Sequence, residues 1–278
     1  MELVNRYKCH GGWVEIHQHS SKTVNTPMRF AVYLPPQAAT KRVPILYWLS
    51  GLSCNEENFI TKANAQITAA KYGICLVAPD TSPRGANIPG EKDHWDFGIA
   101  AGFYVNATEE KWRHHYRMYD YVTIELPELI KSHFSVDAER ESIFGHSMGG
   151  HGALVIGLRN PGRYRSLSSF APIVAPMQCP WGKKAFSGYL GSDSENWKDY
   201  DSTELIRKWG YDREILVDQG TADSFLKEQL KPELLEKVCQ EKSVKLNLRY
   251  REGYDHGYYF IQSFMSEHID FHARALLE

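Results

Sequence analysis

The segment Gly145-His146-Ser147-Met148-Gly149 constrains the fold of this chain more than any other feature of the sequence. It follows a short strand pattern at 141–144 and precedes a helical pattern that continues to 158. A serine between glycines in this context occupies a turn too sharp for larger neighbours, so its hydroxyl stands clear of the sheet. The turn also lies at a helix N-terminus, where free N–H groups favour a developing negative charge. The motif predicts a nucleophilic serine, and a glycine-rich loop with an ordinary surface serine is the alternative.

Strand and helix patterns alternate along the rest of the chain. Residues 12–17 and 28–34 alternate apolar with polar side chains, as antiparallel edge strands do. Residues 43–49 and 73–78 are almost continuously apolar, which indicates strands covered by helices on both faces. Further strands are predicted at 166–170, 214–217 and 245–251, and further helices at 60–72, 119–133 and 257–277. The pattern predicts an α/β fold in one domain, 1–278, with a mostly parallel central sheet, antiparallel N-terminal edge strands and helices on both faces.

Composition and charge exclude several classes of partner. The chain has 32 Lys and Arg against 34 Asp and Glu, a net charge of −2, which is too balanced for electrostatic capture of nucleic acid or anionic lipid. Five dispersed cysteines without a CxxC pair predict neither a disulfide framework nor a zinc site, and they favour a reducing compartment. The N-terminus has no signal-peptide pattern, and no apolar run approaches the roughly 18 residues of a membrane span. We therefore expect a cytoplasmic protein that acts on a small molecule.

A serine hydroxyl needs a base, and His256 is the strongest candidate. In the α/β-hydrolase fold the chain order is serine, acid, histidine, with the histidine on the loop after the last strand. His256 lies between the predicted strand at 245–251 and the terminal helix. The other histidines precede Ser147, belong to the elbow segment or its helix, or lie within the terminal helix. Two spaced pairs, His17/His19 and His268/His272, are expected to be solvated.

The acid is one of two aspartates that follow the strand at 214–217. Asp218 ends that strand and is expected to point along the sheet, whereas Asp223 lies deeper in the loop and can reach across to His256. We favour Asp223, with Asp218 as the alternative. A solvated or turn-capping aspartate is the ordinary role for either position.

Two backbone N–H groups are candidates for an oxyanion hole. One belongs to Met148, the residue after the nucleophile, and the other to the loop after an early strand, where Leu52 is the candidate. The HGGG sequence of many lipases is absent from this loop, so the second donor could be a neighbouring residue.

Beyond these motifs, the chain resembles the S-formylglutathione hydrolase (esterase D) family of the α/β-hydrolase fold. The matching stretches are 49–59, 83–85, 95–98, 102–108, 116–119, 145–152, 179–191 and 255–259, which span nearly the whole chain. The segments around Trp95 and Trp181 are far more specific than the serine motif. The resemblance implies a serine thioesterase that converts S-formylglutathione and water to glutathione and formate, and it assigns the triad to Ser147, Asp223 and His256. Asn106 stands where some relatives have Asp.

A formyl group is small, so selectivity is expected to come from a cramped acyl pocket. Its predicted walls are Trp95, Phe103, Tyr104 and Trp181, for which ordinary core packing is the alternative. Cys54, beside the oxyanion loop, is either an oxidisable thiol at the site or a small buried filler. The carboxylates of glutathione are expected to meet cations, for which the candidates are Arg84, Lys92, Lys111 and Lys184. The chemistry requires no metal and no cofactor.

Two other functions use the same residues. A general carboxylesterase or acyltransferase has the same elbow and triad, because these do not reveal the acyl group or the acceptor. A non-catalytic binding module usually lacks a triad residue, whereas this chain has all three. The sequence leaves the oligomeric state open, with a homodimer among the expectations.

Overall fold

The computed structural model describes all residues 1–278 and contains one nine-stranded sheet. The strands are β1 (Glu2–Cys9), β2 (Gly12–Ser20), β3 (Pro27–Leu34), β4 (Val43–Leu49), β5 (Cys75–Pro79), β6 (Val136–His146), β7 (Tyr164–Phe170), β8 (Ile215–Gly220) and β9 (Leu246–Arg251). Their order across the sheet is β1-β2-β3-β5-β4-β6-β7-β8-β9. The pairs β1/β2, β2/β3 and β3/β5 are antiparallel, and all others are parallel. The predicted mostly parallel sheet with an antiparallel N-terminal edge is confirmed.

Nine helices connect and cover the strands. They are α1 (Glu56–Lys62), α2 (Gln66–Tyr72), α3 (Met118–Asp120), α4 (Leu126–His133), α5 (Met148–Arg159), α6 (Pro180–Leu190), α7 (Ser202–Trp209), α8 (Pro232–Glu241) and α9 (Tyr258–Leu277). Helix α5 packs on the face of β7 that carries Leu167, since that side chain lies against Gly157 of the helix. Helix α9 packs on the opposite face, where its histidines bond to Ser166 and Ser168. The sheet is thus covered on both faces, as predicted.

The structure departs from the predicted elements at the N-terminus, after β4, and at three helices that were not predicted, α6, α7 and α8. Strand β1 was not predicted, because nearly all of its residues are exposed and it has no alternating apolar face. The helix predicted at 60–72 is two helices, and the break contains Asn64 with a φ of 56°. Asparagine tolerates this left-handed conformation better than most residues, so it separates α1 from α2.

A continuous core of 74 buried hydrophobic residues lies on both sides of the sheet. Its continuity supports the expectation of a single domain. The core also includes polar groups: His17, His19, His268 and His272 are all buried, so the expectation that these pairs are solvated is wrong. His17 and His19 project from β2 and hydrogen-bond to Glu15 and Tyr121, whereas His268 and His272 project from α9 and hydrogen-bond to serines of β7. Strand and helix spacing turns each pair towards the core.

Parallel strands place their carboxyl ends at one edge of the sheet, and this edge gathers the candidate site. The loop after β4 contains Leu52, β6 ends at the elbow serine, the loop after β8 contains Asp223, and His256 follows β9. Stretches that are remote in the sequence therefore converge at this edge.

Candidate active site

The elbow serine has the strained backbone that the motif predicts. Ser147 has a φ of 57° and a ψ of −119°, and its side chain is almost enclosed. Glycine is required on both sides: a Cβ at Gly145 would collide with the Gly149 backbone, and one at Gly149 would collide with the Leu49 carbonyl. Strain of this kind persists only where the surroundings enforce it, as they do at functional turns.

Both predicted oxyanion donors are free. Neither Leu52 N–H nor Met148 N–H has a hydrogen-bond acceptor within the protein. The loop that contains Leu52 is held in place, because the Tyr104 hydroxyl donates to the Ser50 carbonyl at 2.8 Å. It also lies against the nucleophile, since a Cβ at Gly51 would come 3.0 Å from Ser147 Cβ. Two fixed, unpaired N–H groups beside a serine are suited to stabilising an oxyanion.

Asp223 and His256 are in direct contact. Asp223 Oδ2 lies 2.6 Å from His256 Nδ1 and accepts a second hydrogen bond from Gln219 at 3.2 Å. The other carboxylate oxygen accepts the Phe225 N–H at 2.8 Å. With Nδ1 bonded to the carboxylate, Nε2 of His256 is the nitrogen left to accept a proton.

The contact between serine and histidine is looser. No hydrogen bond joins Ser147 Oγ to His256, whose ring instead packs on His146 with the ring centroids 4.4 Å apart. Catalytic hydrogen bonds are often long without substrate and tighten when it binds. The structure thus brings Asp223 and His256 together and leaves the Ser147 hydroxyl without a side-chain partner.

Asp218, the alternative acid, points elsewhere. Its carboxylate is completely buried and bonds to Arg249 at 2.6 and 2.8 Å and to Arg251 at 3.1 Å. Burial opposes its ionisation, but His268 and the two arginines outweigh burial and lower the pKa of Asp218 to about 2. It is an ion-pair partner beneath the site, and it does not contact His256.

The four aromatic residues predicted to form the pocket separate into two groups. Trp95 and Trp181 belong to a line of rings that starts at His256 and continues through Phe225, with centroid distances of 5.0, 4.7 and 5.6 Å. Trp95, at its outer end, is 58% exposed. Phe225 was missed by the sequence reasoning, although it follows Asp223 closely in the same loop. These rings form a wall that leads from the base to solvent.

Phe103 and Tyr104 lie beneath the site instead. Both are completely buried. The Phe103 carbonyl accepts a hydrogen bond from His151 at 3.0 Å, and the Tyr104 ring packs against Gly152. They support the elbow helix from inside the core, so the prediction that they wall a solvent-reached pocket does not fit their positions.

Cys54 is half-buried and free. Burial raises the pKa of its thiol despite opposing contributions from Tyr258 and nearby cations, so the unreactive thiol form is favoured. Its backbone carbonyl accepts hydrogen bonds from Thr81 and Arg84 at 2.6 and 3.1 Å. These features fit the role of a structural filler better than that of a reactive thiol.

Several polar candidates already have partners. Arg84 pairs with Asp80, and Lys184 pairs with Asp96 next to the Trp95 end of the ring wall. The Asn106 side-chain oxygen accepts the Asp120 N–H at 3.0 Å. An aspartate at position 106, as in some relatives, could accept the same hydrogen bond. The difference between Asn and Asp at this position therefore keeps the local turn.

No group of three or more His, Cys, Asp or Glu side chains has the arrangement of a metal site. None of the helices combines the length and the apolar character needed to cross a bilayer.

Five histidines predict an acid-sensitive fold. Burial lowers the pKa of each below the ordinary value of 6.5, to about 4 for His151; the set is His19, His146, His151, His268 and His272. Below about pH 6.5 the unfolded chain binds protons that the folded chain excludes, so the free energy of unfolding falls as pH decreases towards the folded pKa values. Each histidine contributes a slope of about 1.4 kcal/mol per pH unit. Urea unfolding between about pH 7 and 5 should show this loss, and His151→Phe should reduce its slope. A flat profile would contradict the assignment of these rings as buried and neutral.

Comparison with known proteins relates this geometry to a family. A family model described as an esterase matches residues 21–271. S-formylglutathione hydrolases of Rattus norvegicus and Bos taurus are 55% and 52% identical to the chain, and each alignment covers 99% of both proteins. The solved structure of an S-formylglutathione hydrolase from Agrobacterium tumefaciens superposes with a TM-score of 0.98 at 46% identity, over 99% of this chain and 100% of that one. The predicted α/β-hydrolase fold and serine esterase class are confirmed. The chain belongs to the S-formylglutathione hydrolase family.

Proposed function

We propose that this chain hydrolyses S-formylglutathione to glutathione and formate, with Ser147 as nucleophile, His256 as general base and Asp223 as the acid that orients it. The observation that carries the proposal is the 2.6 Å contact between Asp223 and His256 beside the elbow. Full-length similarity to S-formylglutathione hydrolases supports the choice of substrate.

In the first half-reaction Ser147 Oγ attacks the thioester carbonyl while His256 Nε2 takes its proton. The carbonyl oxygen becomes an oxyanion, which accepts hydrogen bonds from the Leu52 and Met148 N–H groups. The C–S bond then breaks, and His256 returns the proton to the sulfur, which releases glutathione. A thiolate is a good leaving group, so stabilising the oxyanion is the more demanding task.

In the second half-reaction water attacks the formyl ester of Ser147. His256 takes a proton from the water and later gives one to Ser147 Oγ, so formic acid leaves and the free serine is restored. The acid then releases its proton to solvent as formate. No group outside the triad and the two N–H donors is required for the proton balance.

The wall from His256 to Trp95 is the proposed contact for the substrate. Phe225 packs on the base and Trp181 packs on Phe225, so these rings flank the reacting carbonyl. An acyl group larger than formyl would crowd them, whereas the exposed Trp95 leaves room for the thiol portion.

Substrate preference tests this proposal. We expect kcat/KM for S-formylglutathione to exceed the values for an aryl acetate and a feruloyl ester by at least about tenfold, which corresponds to about 1.4 kcal/mol of transition-state binding. Steady-state kinetics of the purified protein on the three substrates gives the comparison. If either ester is turned over as efficiently as the thioester, the chain acts as a general carboxylesterase, the alternative for this fold.

We also propose a compartment and an assembly for the chain. Five free cysteines fit a reducing compartment such as the cytoplasm. A homodimer stays an expectation, which sedimentation at several protein concentrations would test.

A further inference from the structure

A run of buried polar side chains lies between the sheet and α9, away from the solvent-facing site. Its serines and histidines are hydrogen-bonded to one another, and an aspartate lies at ion-pair distance from its last histidine. We call it the serine–histidine relay. It joins three strands to the terminal helix and consists of Ser142, Ser166, His272, Ser168, His268 and Asp218, all of them buried.

The contacts of the relay are short along its length. Ser142 Oγ lies 2.7 Å from Ser166 Oγ, which lies 2.7 Å from His272 Nδ1. The other nitrogen of that ring, Nε2, is 2.7 Å from Ser168 Oγ, and Ser168 Oγ is 2.8 Å from His268 Nδ1. His268 Nε2 then lies 3.3 Å from Asp218 Oδ2.

The carboxylate at one end determines the direction of every hydrogen bond. Asp218 can only accept, so the proton of the neutral His268 ring is on Nε2, and Nδ1 accepts from the Ser168 hydroxyl. Because Ser168 has a single proton to give, His272 must donate to it from Nε2 and accept from Ser166 at Nδ1. Ser166 then accepts from Ser142, whose oxygen in turn accepts the Ser166 N–H at 3.2 Å. Every hydrogen bond among the serines and histidines is matched in this one arrangement, and the His268 Nε2 proton faces the Asp218 carboxylate at ion-pair distance.

Burial keeps both rings neutral, as the arrangement requires. It lowers the pKa of His272 far below its ordinary value, and it lowers the pKa of His268 even though Asp218 opposes the change. At the other side of the carboxylate, Arg249 and Arg251 hold Asp218 in its ionised form.

The relay connects the same elements that end in the proposed triad. Ser142 is on β6, which leads into Ser147, and Asp218 is on β8, which leads into the loop of Asp223. His268 and His272 are on α9, which starts directly after His256 and Gly257. A shift of α9 relative to β6 and β8 would therefore move the base relative to the nucleophile and the acid.

We propose that the serine–histidine relay is a positioning device that sets the register of α9 against β6 and β8 and so aligns His256 with Ser147 and Asp223. The inference rests on the proposed triad. Its members do not touch substrate, and they act through the elements that carry the catalytic residues. A misplacement of about 1 Å at a reacting group can cost on the order of 100-fold in rate, so a small shift of α9 is enough to matter.

A matched pair of substitutions at His272 tests the device. His272→Leu removes both hydrogen bonds, whereas His272→Gln can still accept from Ser166 and donate to Ser168. Leucine and glutamine have similar helix propensities, so the two substitutions should have similar effects on the intrinsic stability of α9. We expect kcat to fall roughly ten- to 100-fold in His272→Leu with KM changed less than about twofold, and to be largely retained in His272→Gln.

The rate at which a fluorophosphonate labels Ser147 is measured in parallel, because it reports the alignment of serine and base without depending on the thioester substrate. If the fluorophosphonate labels the wild type but the wild type does not hydrolyse S-formylglutathione, the proposed substrate is refuted. The labelling rates of the two His272 variants then still test the relay. The relay proposal is overturned if folded His272→Leu reacts like the wild type, or if both variants are impaired equally.

A spectroscopic measurement on the wild type covers the case in which His272→Leu does not fold. In ¹⁵N NMR spectra of the histidine rings, both His268 and His272 should be neutral with the proton on Nε2. Finding the proton on Nδ1 of either ring, or a charged ring near neutral pH, would break the direction of the relay and overturn the proposal.

Discussion

Ser147→Ala is expected to reduce kcat by roughly 10⁶-fold, the size of effect seen when the nucleophile of a serine hydrolase is removed. The remaining site would keep the Leu52 and Met148 N–H groups and the ring wall, so binding of the thioester should change much less than turnover. The free energy of unfolding should change by less than about 1 kcal/mol, because the Ser147 hydroxyl has no hydrogen-bond partner to lose. Steady-state kinetics and urea unfolding measure the two effects separately.

Labelling provides the control for this variant. A fluorophosphonate should modify the wild type at Ser147, as peptide mass spectrometry would show, and should not modify Ser147→Ala. Ser132→Ala, at an exposed helix position, should behave like the wild type in both assays. Residual turnover within about 100-fold of the wild type would mean that another group attacks the thioester, since the oxyanion hole and binding alone leave far less.

The sequence predicted which edge of the sheet gathers the candidate residues, because the geometry there follows from chain order. Once residues 141–144 are taken as a strand and Gly145-His146-Ser147-Met148-Gly149 as a sharp turn, the loops after later parallel strands must open at the same edge. Asp223 and His256 lie on such loops, and the structure brings them into contact. The patterns of apolar residues similarly predicted the positions of most strands.

What the sequence did not predict depends on the environment of each side chain. Phe103 and Tyr104 are in a loop rich in glycine and aromatic residues, and only packing against α5 shows that they are buried. Phe225 has no motif of its own, and its role follows from its distance to His256. His268 and His272 have polar side chains on an amphipathic helix, so their burial emerges only when Ser166 and Ser168 of β7 are seen to meet them.

The second large effect is expected at Asp223, the aspartate that we favour over Asp218 as the acid. We expect Asp223→Asn to lower kcat by about 10⁴-fold. An asparagine amide facing His256 Nδ1 can donate as well as accept, so the ring is no longer held with its proton on Nδ1, and Nε2 loses its role as base. The carboxylate also stabilises the imidazolium that forms when Ser147 is deprotonated, and the amide cannot. The fold should remain, since the asparagine oxygen can still accept the Phe225 N–H.

Asp218→Asn is the matched comparison, because the same change is made on β8, the strand that leads into the loop of Asp223. Here the loss should appear in stability: a buried carboxylate that pairs with Arg249 and Arg251 is removed, and breaking such a pair typically costs about 3–5 kcal/mol. Turnover of the folded protein should fall far less than in Asp223→Asn, because an asparagine oxygen can still accept from His268 Nε2 and keep the direction of the relay. Measuring kcat and the free energy of unfolding for both variants separates the roles. If Asp218→Asn is stable but inactive and Asp223→Asn is active, the assignment of the acid is reversed. The 2.6 Å contact between Asp223 and His256 would then belong to the resting enzyme alone.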